Sequence, residues 1–419
     1  MFLHQPDSKK LVHLIYMTDI FFQNNRNSLI AAINNGVVVL SAYYQMQRGN
    51  DAAFSFEQEA NFWYLTGIDS SDWWLIIDGQ AKKSWLVEPE IDPVNRIFNG
   101  GLSAEDAIRT SGIDTVISRS QADTLLRELA KKQDTVHTLD SYPSAKDAKH
   151  YGFIVNPAQK QMWSRLKKEF TEVRDCRLEL SKLRAIKQPS EIAAIRKAIS
   201  LTVDAFNDVK KKLPDLNHEY EVDAEFSHYF RNHGAQSNAY DSIVAGGENA
   251  CTLHYTANND PLKKSTLLLL DIGARVGGYA ADISRTYTIG QPTARHIAVH
   301  SAVESAQQEI IGLLKPGLSV KEYHENVDVI MQLALRSLGL PRATPDGSRG
   351  YFPHAVSHGL GIDVHDSLGR PEFFKTGMVL TVEPGIYIPE EGIGVRIEDD
   401  ILITDNGHEN LSGSLSTSL

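Results

Sequence analysis

The sequence predicts an α/β domain followed by an α+β domain whose sheet is mainly antiparallel. Three observations lead there. The chain has 419 residues, long for one core and comfortable for two. Its first half alternates helix-like and strand-like segments. Its second half sets long alternating strands among amphipathic helices. Hydrophobic residues at 42% and charged residues at 23% are ordinary for a globular chain.

In chain order, Asn27 is expected to cap a short helix carrying Leu29, Ile30 and Ile33, with Gly36 at its C-terminal end. Residues 37–40 then read as a buried strand. Residues 74–77 and 85–87 follow as strands around an Asp78-Gly79 turn. Residues 121–132 are helical, with Leu125, Leu126 and Leu129 as the apolar positions. Trp63, Trp73, Trp74 and Trp85 are expected in the core. A polar, helix-prone stretch over 157–187 carries the boundary, which divides residues 1–173 from 174–419. Pro189-Ser190-Glu191 opens a long helix in which Ile192, Ile195, Ile199, Val203, Phe206 and Val209 recur at steps of three and four. A second helix runs from Glu219 to Asn232 and ends near Gly234. Ser319 and Glu322 form a capping-box pattern ahead of a helix bearing Tyr323, Val327, Ile330 and Leu333. Strands are expected over 267–272, 279–287, 379–382 and 395–403.

The net charge of −11, with no basic block, argues against a nucleic-acid partner. Cys176 and Cys251 form neither a disulfide framework nor a thiolate zinc site, which points to a reducing compartment. The N-terminus has an early proline and acid, and its apolar run over 11–17 is interrupted by His13, a poor signal peptide. No apolar stretch approaches the ~20 residues of a membrane span. A cytoplasmic protein without membrane association is the expectation.

Chemistry concentrates in the second half. The run 267–270 is four leucines, followed by Asp271. A lone acid there is as well explained by capping of a neighbouring turn. Residues 279–286 hold another strand acid, Asp282, after the Val276-Gly277-Gly278 turn. A hairpin bent at that turn brings the two carboxylates together, where they repel unless a cation lies between them. His354, His358 and His365 fall within one short Gly-rich run whose spacing is not that of a zincin helix. A single such histidine is more often a core or surface residue. Glu383 ends an apolar strand before Pro384-Gly385. Arg396 and Glu398, taken alone, suit a solvated strand face; Asp399 and Asp400 read as surface or turn residues, and Asp363 and Asp366 need no metal role. Asp271, Asp282, His358, Glu383 and Glu398 together supply four carboxylates and one imidazole. Buried without compensation, that set is too negative to be stable, and two divalent cations would neutralise it. Oxygen ligands at this density suit a hard ion.

The segments LLLLDIGA, ADISRT, HAVSHGLGIDVHD, VEPGIY and GIGVRIEDD, in this order, resemble the pita-bread metallopeptidases, specifically the aminopeptidase P and prolidase branch. Arg48-Gly49-Asn50-Asp51 through Phe62-Trp63-Tyr64-Leu65-Thr66-Gly67 resembles the N-terminal domain of aminopeptidase P. The resemblance spans nearly the whole chain and implies a curved pita-bread sheet in the second domain. It implies that Asp271 chelates one metal, that Asp282 and Glu398 bridge two, and that His358 and Glu383 complete the second. His254 and His365 match catalytic histidines, His354 a histidine near the substrate, Arg396 an arginine of the active site, and Tyr387 a further wall. The ions are expected to be Mn²⁺, with Zn²⁺, Co²⁺ or Fe²⁺ able to substitute.

The implied reaction is hydrolysis of the bond before proline by a bridging hydroxide, with Glu383 as proton shuttle and His254 or His365 at the oxyanion. Peptides with proline second are the expected substrates. The first alternative is an Xaa-Pro dipeptidase, which shares every ligand. A metal-free amidinohydrolase like creatinase, or a non-catalytic peptide-binding module, stands further off, because those branches tend to lack the ligands kept here. The N-terminal domain implies a homodimer or homotetramer, by resemblance only.

Overall fold

The computed structural model describes residues 17–140, 152–341 and 350–419. The first domain is built from α1 (Asp19–Ala32), β1 (Val37–Ser41), α2 (Ala60–Thr66), β2 (Trp74–Asp78), β3 (Lys83–Val87), α3 (Pro93–Asn99), α4 (Ala104–Ser111), β4 (Val116–Ile117), α5 (Arg119–Ala130), β5 (Thr135–Thr138), α6 (Ala158–Leu166) and β6 (Glu172–Asp175). Its strands form one mixed sheet in the order β4-β3-β2-β1-β5-β6. β1 lies antiparallel to β2 and parallel to β5.

The continuous apolar run of β1 follows from its place in that sheet, where helices cover both faces. Val38 and Leu40 pack with Phe21, Phe22, Phe62 and Leu65 in one core. Val37 and Val39 pack with Leu126, Leu129, Met162 and Leu166 in another. Trp73 and Trp74 are buried, and Trp63 and Trp85 pack at the margins of these cores.

The first helix differs from expectation. Asn27 lies inside α1, and Thr18 is its N-cap. The polar residues that hid the helix are buried and bonded: Asn25 donates to the Tyr64 carbonyl at 2.8 Å, and Arg26 to that of Leu65 at 2.7 Å. The expected division at residue 173 falls within β6, which runs parallel to β5.

The second part comprises α7 (Arg177–Ala185), α8 (Pro189–Lys212), α9 (Glu219–Asn232), β7 (Ser237–Asn238), β8 (Ile243–Gly246), β9 (Thr266–Ile272), β10 (Ala274–Val276), β11 (Tyr279–Ala280), β12 (Ile283–Ile289), α10 (Ala294–Leu313), α11 (Val320–Ser337), β13 (Val379–Val382), β14 (Gly385–Ile388), β15 (Ile393–Arg396), β16 (Asp399–Thr404) and β17 (Gly407–Asn410). Its paired strands are all antiparallel among the described residues: β12-β9-β8, β13-β16-β17, β14-β15 and β11-β10-β7. α10 and α11 cover β13, β15 and β16 through Val299, Val303, Ile330, Leu380, Val395 and Ile401. Ser319 precedes α11 but makes no side-chain cap; its backbone bridges Phe373 instead.

Two long strands expected from the sequence are each broken, and each break holds an acid. Asp282 sits between β11 and β12, and Glu398 between β15 and β16. The breaks meet: Glu398 N donates to the Ser284 carbonyl at 3.1 Å. Asp399 and Asp400 are not surface residues. They are 3% and 0% exposed, because β16 is the central strand of its sheet and is packed on both sides. Asp399 pairs with the fully buried Arg285 at 2.7 Å. Among the described residues no helix is long and apolar enough to cross a membrane.

Candidate metal centre

Four strand ends converge on one cluster. β9 carries Asp271 opposite Ser284 of β12, which begins just after Asp282. β13 delivers Glu383 immediately beyond its last residue, and Glu398 immediately precedes β16. His358 joins them from a loop whose backbone pairs with β13: Thr381 N donates to the His358 carbonyl at 2.9 Å.

Ligand atoms of Asp282, His358 and Glu398 lie within 4.8 Å of one another. His358 Nε2 is 3.5 Å from Asp282 and 3.4 Å from Glu383. Its Nδ1 donates to the Gly359 carbonyl at 3.0 Å, which leaves Nε2 facing the carboxylates as a ligand nitrogen must. Asp271 joins through Tyr240, whose hydroxyl oxygen is 2.6 Å from both Asp271 and Asp282. A phenol has one proton, so it bonds the two acids by turns and holds them at a common point.

Second contacts fix the acids further. Arg396 Nη2 donates to Asp271 at 2.6 Å, its Nη1 to the Tyr387 hydroxyl at 2.9 Å, and its Nε to Ser284 Oγ at 2.9 Å. Ser284 Oγ donates to Glu398 at 2.7 Å, and Asp282 N donates to Asp400 at 3.1 Å. Tyr240, Ser284 and Asp400 were not singled out as site residues by the sequence. Tyr240 lies in a short segment without periodicity, and only the folded chain brings its ring beneath the acids.

The electrostatics match a cation site. Burial lifts Asp282 and Glu398 above the ordinary carboxylate range and Glu383 to about 7. Burial alone would lower His358, but Asp282 and Glu383 push it up to about 9. Desolvation is the leading cause for each acid and the neighbouring carboxylates add to it, while His358 and Arg396 offset only part, so a bound cation would relieve the penalty. The donor set, carboxylate oxygens with one imidazole, fits divalent ions.

The remaining expected residues ring this cluster. The His365 ring stands 4.1 Å from that of His358, on an exposed residue; partial desolvation and the neighbouring His358 and His254 hold its pKa below the ordinary imidazole value, so it is neutral at pH 7. His254 is exposed on the loop near it and contributes to its electrostatic environment. His354 donates Nδ1 to the Ala355 carbonyl at 2.8 Å, and its Nε2 lies 2.8 Å from the Tyr387 hydroxyl. With Nδ1 protonated, Nε2 accepts, so Arg396, Tyr387 and His354 form a directed chain. A cavity of 1110 Å³ lined by Tyr240, His365, Arg275, Ser242 and Asn258 opens beside the cluster, wide enough for several residues of peptide.

The chain is similar to known proteins along almost its whole length. The profile of metallopeptidase family M24 matches residues 193–405, and that of the aminopeptidase P N-terminal domain matches residues 22–137. The Xaa-Pro aminopeptidase of Escherichia coli is 32% identical over 94% of each chain. Xaa-Pro aminopeptidase 3 of Mus musculus is 33% identical over 88% of this chain and 76% of its own. Among solved structures, proline aminopeptidase P II of Yersinia pestis superposes with a TM-score of 0.81 at 32% identity, covering 96% of this chain and 97% of that one. Aminopeptidase P from E. coli with the inhibitor Pro-Leu gives 0.81 at 29% identity over 96% of each. Converging strand ends, a buried cluster of acids around one imidazole and this full-length similarity lead to one assignment: the chain belongs to metallopeptidase family M24 and carries the aminopeptidase P type of N-terminal domain.

Proposed function

We infer that this protein is a metal-dependent Xaa-Pro aminopeptidase, releasing the N-terminal residue from peptides whose second residue is proline. The observation that carries this is the meeting of Asp282, His358 and Glu398 within 4.8 Å, with Asp271 and Glu383 tied to them. Asp271, Asp282, His358, Glu383 and Glu398 would hold two divalent ions. When bound, such ions supply Lewis-acid activation of water and of the scissile carbonyl.

The chain's own residues supply the rest. Glu398 is 1% exposed and serves only as a ligand, whereas the Glu383 side chain stays 17% exposed. Glu383 is therefore placed to take a proton from water and hand it to the leaving nitrogen. Neutral His365, with His254 from the facing loop, donates to the carbonyl oxygen as charge develops there. Arg396, Tyr387 and His354 line the side that receives the proline end. A prolyl nitrogen has no N–H, so recognition there depends on ring contacts rather than a backbone donor.

Mn²⁺ suits the oxygen-rich donor set, with Zn²⁺, Co²⁺ or Fe²⁺ as substitutes. Two thiols without a disulfide, Cys176 and Cys251, are consistent with the cytoplasm. Val94, Ile97 and Phe98 of α3 are 61%, 81% and 80% exposed, and covering them in a homodimer or homotetramer would remove an apolar patch from water. The N-terminal domain, expected over 1–173, is taken to run through the end of β6 at Asp175, and the catalytic domain, expected over 174–419, to follow it.

A panel of Xaa-Pro dipeptides and Xaa-Pro-Yaa tripeptides, assayed with Mn²⁺ and with chelator, tests this. Metal-dependent tripeptide cleavage is expected. Exclusive turnover of the dipeptide would make the protein an Xaa-Pro dipeptidase instead.

A further inference from the structure

His365 stands on a loop that closes on itself. Asp366 N donates to the Gly359 carbonyl at 2.8 Å, so residues 359–366 double back and bring His365 against His358. Glycine permits the closure: a Cβ on Gly361 would lie 2.0 Å from Asp366 Oδ2, and one on Gly359 would lie 2.5 Å from the Asp366 carbonyl oxygen.

The acids on either side of His365 are both gripped by one arginine from outside the loop. Arg184, on α7, places Nη2 2.7 Å from Asp363 and 2.9 Å from Asp366. Lys187 adds a second cation, 3.3 Å from the other Asp366 oxygen. Arg184, Lys187 and Asp366 are each 5% exposed or less and form a desolvated charge cluster, with the Asp363 side chain, 53% exposed, at its rim. Arg184 has one more partner, and it belongs to the N-terminal domain. Its Nη1 donates to Asn61 Oδ1 at 2.9 Å. Asn61 is itself held, donating to Glu59 at 2.8 Å, and Glu59 caps α2 by accepting from Phe62 N at 2.7 Å. None of these residues is assigned to the ions or to the peptide.

Resting on the assignment of His365 to the reaction, we propose that Arg184 is a positioning residue. Its clamp on Asp363 and Asp366 orients the His365 imidazole, and its bond to Asn61 makes docking of the N-terminal domain part of that orientation. Planarity matters here, because one guanidinium spans three acceptors that an ammonium cannot reach together. Without the clamp the loop loses its lateral hold. The imidazole then spends less time where the carbonyl oxygen needs a donor, while ion binding and peptide binding persist.

The test uses the full chain loaded with Mn²⁺ and an Xaa-Pro-Yaa tripeptide. Arg184→Gln is expected to lower kcat by about tenfold or more, with KM within about threefold and the ion content unchanged. The Asp366 amide should exchange with solvent about tenfold faster, since its partner loop is released. Arg184→Lys should recover part of kcat. In a His365→Ala background Arg184→Gln should add less than about twofold, because residues that act through one another are non-additive. Equal fold-losses in both backgrounds, or unchanged kcat with unchanged Asp366 exchange, would overturn the proposal. If Arg184→Gln does not fold, Asn61→Ala, which leaves both ion pairs in place, carries the same comparison: a smaller kcat loss with faster Asp366 exchange supports the clamp, and no change in either refutes it. A wild-type protein inert toward every proline peptide would refute the aminopeptidase assignment, and the exchange measurement would still decide whether Arg184 holds the loop.

Discussion

Arg396 places Nη2 2.6 Å from Asp271 Oδ2, across 125 residues of chain. The pair locks β9 to β15, and the same guanidinium reaches Tyr387 and Ser284. Removing one member of a buried pair leaves an uncompensated charge, at a cost of about 3–5 kcal/mol. Arg396→Met is therefore expected to lower stability by about 3 kcal/mol in chelator. Bound cations would take over part of the compensation of Asp271. Added Mn²⁺ should accordingly raise the melting temperature of the variant more than that of wild type. Equal shifts in the two proteins would count against the pairing as described.

Tyr240 holds Asp271 and Asp282 at one point by a shared hydroxyl proton. Tyr240→Phe keeps the ring and removes the bond. Loss of such an outer contact should weaken metal binding by about tenfold with little change in fold. Competition against a chelating dye reads this directly, and an unchanged affinity would contradict it.

Gly273 links β9 to β10 with no room for a side chain. A Cβ there would come 1.8 Å from the Ala281 carbonyl oxygen and 3.1 Å from the Tyr240 ring. Because the obstacle is backbone next to Asp282, Gly273→Ala should destabilise by about 2 kcal/mol or more and reduce ion binding with it. Gly312→Ala is the matched control. It lies in α10 with nothing within 4 Å of its Cβ position, and should stabilise by about 0.5–1 kcal/mol. Urea denaturation of both variants makes the comparison.

Glu191 gives a pH dependence outside the metal cluster. Its carboxyl is buried, accepts the Tyr279 hydroxyl at 2.7 Å and caps α8 through Gln188 N. Burial raises its pKa above its ordinary value of 4.5, despite those bonds. The folded state therefore holds this proton more tightly than the unfolded chain does. Its contribution to stability is fully present below 4.5 and declines as pH rises through the folded-state value. Glu191→Gln stays neutral throughout. Relative to wild type, it should gain stability as pH rises above 4.5 and through the raised folded-state value, followed as urea midpoints. A difference that does not vary with pH would show that the carboxyl is not shifted.

Much of this was legible in the sequence. The four acids and the histidine stood out because buried strands and Gly-rich turns rarely carry so many ionisable groups, and the long helix from Pro189 to Lys212 announced itself by its spacing. The misreadings share one cause. Periodicity reports which face of a segment is apolar, and it fails where polar side chains are buried and satisfied. Asn25 and Arg26 concealed the first half of α1 in this way. Asp399 and Asp400 looked solvated because one alternating strand suggests a wet face, whereas Arg285 and neighbouring strands enclose them. Tyr240 and Arg184 act through contacts with residues distant in the chain, and no local pattern marks either.

The most direct measurement is the number of Mn²⁺ ions bound per chain, determined by elemental analysis after equilibration and gel filtration. Two per chain in wild type, with binding lost or halved in Asp282→Asn and Glu398→Gln, is the expected result. Wild-type protein that retains no divalent ion, or variants that bind as wild type does, would contradict a centre built from these strand-end acids.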